Sequence, residues 1–244
     1  MTVAKLPDLI PEEPVAPESA TVNGYSQSKW VSERVLEIAV EKTSLRPIIV
    51  RVGQVSGGVN GCWNPLEWIP GIVQSAPLTK SLPSLGKVIS LLPLETTAQA
   101  LVQILGARTT RSSIHLHLVN PTPCRWDDVF GYIGKELNVP LRPYDEWLSK
   151  LKGASGTVKN MQEHPTLRLL GFYEVLGQGN GLEAGGLPSC GTEVARSLCP
   201  VLGEEELRGV KAEEIQRWLG YWKSLGLVKL SRTRSFTPDP RERR

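Results

Sequence analysis

Residues 24–34 read GYSQSKWVSER, and this stretch is the strongest single indication of the fold. It places Tyr25 and Lys29 four residues apart at the start of an amphipathic helix, which the apolar periodicity predicts over residues 25–42. Side chains at positions i and i+4 share one face of a helix. A nearby ammonium favours the phenolate form of a phenol. A tyrosine in this setting can pass a proton to a carbonyl oxygen while a nicotinamide delivers hydride.

The segments after this helix alternate between strand and helix patterns. Residues 46–52 form a β-branched run typical of a buried strand, and Gly53, Gly57 and Gly58 predict that a loop follows it. Strands are also predicted over residues 86–92 and 114–119, and helices over residues 69–80, 95–107, 126–137, 145–152 and 212–225. This alternation favours an α/β fold with a parallel sheet.

Composition divides the chain into four segments. Residues 1–23 are rich in proline and acidic residues and predict an extended lead-in. Residues 24–140 carry the alternating strands and helices, and residues 141–230 alternate short helices with glycine-rich loops, which predicts a helical C-terminal subdomain. Residues 231–244 are polar and basic and predict a disordered tail.

Charge and composition narrow the classes of function. The 244 residues carry 28 Lys and Arg against 25 Asp and Glu, and a net charge of +3 is too small to predict nucleic-acid binding. No apolar run approaches the ~18 residues that span a bilayer, and the N-terminus lacks the apolar segment of a signal peptide. The four cysteines are scattered without a CxxC pair, which favours reduced thiols. We therefore expect a cytoplasmic protein without a membrane association.

Two groups of polar side chains are expected to be structural rather than catalytic or metal-binding. His115 and His117 are two residues apart on a predicted strand and share a face, but no third ligand stands near them in the sequence. We therefore expect hydrogen-bonded strand histidines rather than a metal site. Glu33, Arg34 and Glu37 predict a solvated helix face.

The Tyr25–Lys29 pair is a weak motif when taken alone. The alternative interpretation is a half-exposed tyrosine at a helix start with a solvated lysine beside it. The context favours a catalytic pair, because a β-branched strand and a glycine-rich loop follow the helix. This is the order of elements expected in a short-chain dehydrogenase, where the loop lies beside the nicotinamide.

Several further segments make a resemblance specific. They are GYSQSKW at 24–30, RVGQVSG at 51–57, WN at 63–64, EWIP at 67–70, HLVNP at 117–121, YDEWL at 144–148 and LLGFY at 169–173. Together they resemble the thioester reductase domains of fungal NRPS-like and adenylate-forming reductases, which belong to the extended short-chain dehydrogenase group. The resemblance covers roughly residues 10–230. It implies a Rossmann-like fold with a mostly helical C-terminal substrate subdomain.

The resemblance also implies a reaction and a set of residues. Such domains use NADPH to reduce an acyl thioester on a phosphopantetheinyl carrier protein, and they release an aldehyde or an alcohol. Tyr25 would be the general acid, and Lys29 would support it and hold the cofactor ribose. Gly53, Gln54 and Val55 would lie against the nicotinamide.

Trp63 and Trp68 have two interpretations. The resemblance implies that they help to form the surface for the substrate and the carrier protein. The structural alternative is that both indoles pack the loop in which they stand.

Two expected features of the family have no counterpart in this sequence. The family has a G-x-x-G-x-x-G turn that cradles the cofactor pyrophosphate at a helix N-terminus, and no such stretch occurs here. The serine or threonine expected on a strand before the tyrosine has no counterpart either. We therefore expect a partial Rossmann-like fold in which the N-terminal nucleotide-binding strands are missing. A non-catalytic module that docks a carrier protein or synthase, or an inactive relic of a reductase, remains the alternative function.

Overall fold

The structure is a computed structural model that describes residues 9–20, 24–107, 114–155, 165–178, 181–186, 188–203, 207 and 209–228. The strands are β1 Leu9–Ile10, β2 Ile48–Val52, β3 Gln54–Ser56, β4 Leu82–Ser84, β5 Val88–Ile89, β6 Leu91–Pro93, β7 Ile114–Leu118, β8 Cys124–Arg125, β9 Leu141–Pro143 and β10 Ser189–Cys190. The helices are α1 Gly24–Lys42, α2 Trp68–Gln74, α3 Ala76–Thr79, α4 Leu94–Gly106, α5 Trp126–Leu137, α6 Tyr144–Ser155, α7 Pro165–Arg168, α8 Leu170–Leu176, α9 Glu193–Leu198 and α10 Ala212–Ser224. No helix within these ranges has the length and apolar character needed to cross a membrane. The predicted tail at 231–244 lies outside the described residues.

Short parallel strand pairs form the sheets. Strand β2 pairs with β7, β3 with β6, β4 with β9 and β1 with β10, all in parallel, whereas β5 and β8 are antiparallel. The longest pair runs from Ile48 opposite Ile114 to Val52 opposite Leu118. Only Gly53 separates β2 from β3, so the chain changes its pairing partner from β7 to β6 within one residue. The predicted α/β fold with parallel strands is confirmed.

Local patterns predicted the longer elements, but they did not place the short strands β1, β3, β4, β8, β9 and β10 or the helices α7, α8 and α9. The helix predicted over 69–80 is two helices, α2 and α3. Helices α1 and α5 and strand β7 match their predicted ranges closely. The predicted loop after Gly53 contains β3, because this segment finds a partner in β6 that no local pattern reveals. The predicted strand over 86–92 is two strands, because β5 pairs with β8 while β6 pairs with β3.

Two apolar clusters form the interior. The larger one is built on aromatic side chains from α5, α6, α8 and α10, and its fully buried members include Trp126, Trp147, Tyr173, Trp218 and Trp222. The smaller cluster lies between α4 and the β2–β7 pair, and it includes Ala100, Ile104, Leu116 and Leu118. The larger cluster contains residues from both sides of residue 140, and the domain boundary predicted there stays a prediction.

Candidate functional site

The Tyr25 and Lys29 side chains lie together on the first turns of α1. The ammonium of Lys29 is 5.2 Å from the centre of the Tyr25 ring, a distance within the range of a cation–π contact. The side chain of Tyr25 is 71% exposed. Among the described residues, no acidic side chain forms an ion pair with Lys29. The structure thus brings the pair together as the helical spacing predicts, and their catalytic roles stay predictions.

Helix α1 contacts the sheet through charged side chains, and its apolar side chains are at most half-buried. None of its residues, all of which the structure describes, is buried. The carboxylate of Glu33 receives two hydrogen bonds from the guanidinium of Arg51, at 2.9 and 2.7 Å. The carboxylate of Glu37 lies 3.1 Å from Nε2 of His115. The prediction that Glu33 and Glu37 form a solvated face was therefore wrong, because both carboxylates point to the sheet.

The imidazole of His117 supports the same contact from the strand side. Its Nδ1 lies 2.9 Å from the carbonyl oxygen of Gly191, and a carbonyl only accepts, so Nδ1 carries the proton. Nε2 then accepts a hydrogen bond from Arg51 at 3.2 Å. Burial, with a smaller contribution from Arg51, lowers the pKa of His117 below its ordinary value. The neutral imidazole holds the Arg51 guanidinium toward α1, which confirms the structural interpretation of the strand histidines.

The predicted nicotinamide-contacting residues lie where β2 passes into β3. Gly53 packs closely on β7, since a Cβ atom at this position would lie 2.6 Å from Cγ1 of Val119. The side-chain amide of Gln54 donates to the carbonyl of Val55 at 2.8 Å and to Glu67 at 3.1 Å. The Gln54 side-chain oxygen accepts a hydrogen bond from the Trp68 indole at 2.6 Å. The protein itself therefore fixes the orientation of the Gln54 side chain beside the backbone of Val55.

Glu67 joins the two tryptophans to this network, and the sequence reasoning missed it. One of its carboxylate oxygens accepts both the Gln54 amide and the Trp63 indole N–H, the latter at 3.0 Å. Such charge-assisted bonds are stronger than bonds between neutral groups. A single acidic residue between Trp63 and Trp68 was the available signal, because indole N–H groups in apolar surroundings need acceptors.

Trp63 and Trp68 occupy different environments. Trp63 is 3% exposed and packs on Trp218, at 4.9 Å between ring centroids, and on Trp222 at 5.7 Å. This burial favours the packing interpretation of Trp63 over a surface role. Trp68 is half-buried and stacks on Trp126 at 6.0 Å. Trp68 is therefore the indole that stays partly accessible beside Gln54.

Helix α10 packs against the loop between β3 and α2. The indole of Trp222 donates to the carbonyl oxygen of Trp63 at 3.1 Å. Gly61 has a φ of +78°, and a Cβ atom there would lie 2.1 Å from the carbonyl oxygen of Arg217. Glycine is required at this position both for its left-handed backbone and for the close approach of α10. The C-terminal part of the chain thus shapes the loop that carries Trp63 and Glu67.

Tyr25 and Lys29 present groups that could bind the ribose of a nicotinamide cofactor. The exposed phenol of Tyr25 and the ammonium of Lys29 are hydrogen-bonding groups suited to ribose hydroxyls, and they fit that part of the molecule. No glycine-rich turn of the pyrophosphate-binding type occurs in the sequence. In the part of the chain that the structure describes, no group of three or more His, Cys, Asp or Glu side chains is arranged to hold a metal ion.

Known sequences resemble this one over most of its length. Residues 7–101 match the family model described as male sterility protein. The chain is 34% identical over 229 residues to the adenylate-forming reductase Nps10 of Heterobasidion annosum, a match that covers 89% of this chain and 21% of that protein. It is 33% identical over 172 residues to the non-reducing polyketide synthase pkdA of Emericella nidulans, covering 68% of this chain and 7% of that protein.

The fold is also similar to that of a solved reductase domain. The terminal R domain from the myxalamid PKS-NRPS biosynthetic pathway matches with a TM-score of 0.70 and 26% identity, over 92% of this chain and 55% of that chain. The chain thus spans about half of the solved domain and about a fifth or less of the two curated relatives. Over residues 7–101 the chain carries a male sterility protein domain, and over most of its length it is similar to an adenylate-forming reductase, a polyketide synthase and a solved terminal R domain.

Proposed function

We propose that the chain carries the catalytic pair of an NADPH-dependent reductase that converts a carrier-bound acyl thioester to an aldehyde or an alcohol. The observation that carries the proposal is the Tyr25–Lys29 pair, with the ammonium 5.2 Å from the ring centre and the phenol open to solvent. The relationship to R domains supports the substrate class, because carrier-linked thioesters are the intermediates that synthases of this kind hold. The partner would be a phosphopantetheinyl carrier protein.

The roles of the two side chains follow from their chemistry. Bound NADPH would supply a hydride to the thioester carbonyl carbon. The hydroxyl of Tyr25 donates its proton to the carbonyl oxygen, and departure of the thiol then leaves the aldehyde. Lys29 stabilises the phenolate that remains on Tyr25 and binds the ribose hydroxyls of the cofactor. A second round of the same steps would give the alcohol.

Gln54, held by Glu67, would lie against the nicotinamide, as the resemblance implies. The amide of Gln54 is held by Glu67, Val55 and Trp68, so its orientation does not depend on the cofactor. A side chain fixed in advance binds a ligand without a further cost of ordering. We expect this network to set the position of the nicotinamide and of the thioester rather than to take part in proton transfer.

The first experiment is a titration of the purified 244-residue chain with NADPH, followed by cofactor fluorescence and by thermal unfolding. Saturable binding with a raised melting temperature supports the proposal, and reduction of an acyl-pantetheine thioester is measured next. Tyr25→Phe is expected to lower the rate at least ~100-fold, while binding of NADPH persists. Tyr132→Phe is the matched control, because its hydroxyl bonds to Gln216 on the distant α5–α10 contact.

Two results would contradict the proposal. Full activity of Tyr25→Phe would remove the tyrosine from the reaction. Cooperative unfolding of the chain without any binding of NADPH would favour the second candidate, a non-catalytic module that docks a carrier protein. That candidate is tested directly by the binding of a purified phosphopantetheinyl carrier protein to the chain.

A further inference from the structure

Two polar contacts join α1 to strands β2 and β7 at successive levels. Glu33 binds Arg51 on β2, and Glu37 binds His115 on β7. In the parallel register Arg51 lies opposite His117, so the two contacts are two residues apart along the strands. They are four residues apart along the helix, and they follow in the opposite order. Helix α1 therefore runs antiparallel to β2 and β7.

The spacing of these contacts extends to the Tyr25–Lys29 pair. Four residues of an α-helix advance about 6 Å, and two residues of a strand advance about 6.6 Å, so the helix and the strands keep in step. Four residues before Glu33 the helix reaches Lys29, and two residues after Arg51 the strand reaches Gly53. Lys29 therefore comes level with Gly53, and Tyr25 lies about one turn further in the direction in which β2 continues into β3.

The contact between Glu33 and Arg51 has a geometry that fixes position. Nε and Nη2 of the guanidinium donate to separate oxygens of the carboxylate, at 2.9 and 2.7 Å. A two-pronged contact of this kind restricts orientation as well as distance. The side chain of Glu33 is 17% exposed and that of Arg51 is 20% exposed, so salt and water weaken the contact less than they weaken a surface ion pair. The remaining guanidinium nitrogen, Nη1, lies 3.2 Å from Nε2 of His117, which holds Arg51 from the strand side.

Helix α1 has no fully buried side chain that could fix its position by packing. Two of its other polar contacts lead away from the sheet. The indole of Trp30 donates to the carbonyl oxygen of Val15 at 2.8 Å, which joins α1 to the N-terminal segment. Arg34 pairs with Glu37 inside the helix itself. The position of α1 along the strands thus depends on directional contacts to the sheet, and the two-pronged contact of Glu33 is the stronger of the two described.

We propose that Glu33 and Arg51 are positioning residues: their contact fixes α1 along β2 and so holds Tyr25 and Lys29 level with Gly53. The catalytic consequence rests on the proposed function, whereas the anchoring of α1 rests on the contacts alone. Neither residue is assigned a contact with the substrate, and both act through the helix that carries the proton donor. A slip of α1 by one residue moves the phenol by about 1.5 Å, and a misplacement of about 1 Å can cost about 100-fold in rate.

The kinetic test compares Arg51→Gln and Glu33→Gln with the unaltered 244-residue chain, with NADPH and an acyl-pantetheine thioester as substrates. We expect kcat to fall at least ~10-fold while KM for the thioester stays within about twofold, because the contact positions the proton donor and does not bind the thioester. The double variant is expected to lose no more than the more affected single variant, because both substitutions break one contact. Arg51→Lys keeps the charge without the planar fork and is expected to retain more of kcat than Arg51→Gln.

Amide hydrogen exchange gives a second readout that needs neither cofactor nor turnover. In Arg51→Gln and Glu33→Gln the amides of α1 are expected to exchange at least ~10-fold faster, while the amides of α5 in the larger aromatic cluster keep their rates. Arg34→Gln is the matched control, because it removes an ion pair that lies within α1 and is partly open to solvent. We expect it to leave both kcat and the exchange of α1 unchanged.

The two readouts separate this proposal from the proposed function. Unchanged exchange of α1 in both single variants would overturn the anchoring, as would an equal loss of protection in α1 and α5 or the same effect in Arg34→Gln. An unchanged kcat in a chain that reduces the thioester would overturn the positioning role. Selective loss of protection in α1, in a chain that neither binds NADPH nor reduces the thioester, would contradict the proposed function and still support the anchoring of α1 by Glu33 and Arg51.

Discussion

The buried carboxylate of Glu12 is expected to be a principal stabilising contact of the N-terminal segment. It is 9% exposed, and it accepts hydrogen bonds from His117 N at 2.9 Å, from Val194 N at 2.5 Å and from Ala195 N at 3.0 Å. These donors belong to β7 and to the first turn of α9. One side chain thus connects three parts of the chain that are distant in sequence.

Glu12→Ala leaves three backbone donors without their acceptor. Each buried donor left unpaired costs about 1–3 kcal/mol. Two of the three lie at a helix start where water can replace the carboxylate, so we expect the low end of the range, a loss of about 3 kcal/mol in the free energy of unfolding. That is a large part of the ~5–15 kcal/mol that stabilises a domain of ordinary size.

The assay is urea unfolding followed by tryptophan fluorescence. Glu12→Gln keeps one acceptor oxygen and is expected to lose less stability than Glu12→Ala. Glu13→Ala is the control, because Glu13 is the neighbouring carboxylate and is exposed. The reasoning is refuted if Glu12→Ala unfolds within about 0.5 kcal/mol of the unaltered chain, or if the Glu13 variant is equally destabilised.

Three further predictions concern the interior. Ser75→Ala removes the acceptor of the buried Trp147 indole N–H, which lies 2.9 Å from the serine oxygen. We expect a loss of about 1–3 kcal/mol in the free energy of unfolding, measured in urea. An unchanged urea midpoint would show that the bond contributes nothing to stability. Gly57→Ala places a Cβ atom 2.5 Å from the Trp218 indole. We expect a loss of about 1–3 kcal/mol in the free energy of unfolding and a shifted tryptophan fluorescence maximum. An unaltered spectrum and melting temperature would contradict the packing described. Burial lowers the pKa of His117, so below pH 6.5 the unfolded chain takes up a proton at this residue that the native chain does not, and stability falls as the pH falls. His117→Gln should show a smaller loss of stability between pH 6.5 and pH 5 than the unaltered chain, and equal pH profiles would count against this assignment.

The sequence by itself determined the longer local elements and the adjacency of Tyr25 and Lys29. Helix α1 and strand β7 follow from apolar periodicity, because side-chain direction within an element depends only on its own repeat. The adjacency of Tyr25 and Lys29 follows for the same reason, and the 5.2 Å contact agrees with it. The family resemblance also rests on short segments of sequence, and the comparisons confirm it.

Only the tertiary structure decided which side chains and strands contact each other across the chain. Glu33 and Glu37 have the sequence of a solvated face, yet both carboxylates contact the sheet, because Arg51 and His115 reach them from strands far along the chain. Strand β3 forms because β6 lies beside it. Glu67 has no sequence motif of its own, and its role comes from the Trp63 indole and the Gln54 amide, which folding brings to its carboxylate. Such contacts depend on the relative positions of distant segments, and no local repeat in the sequence encodes those positions.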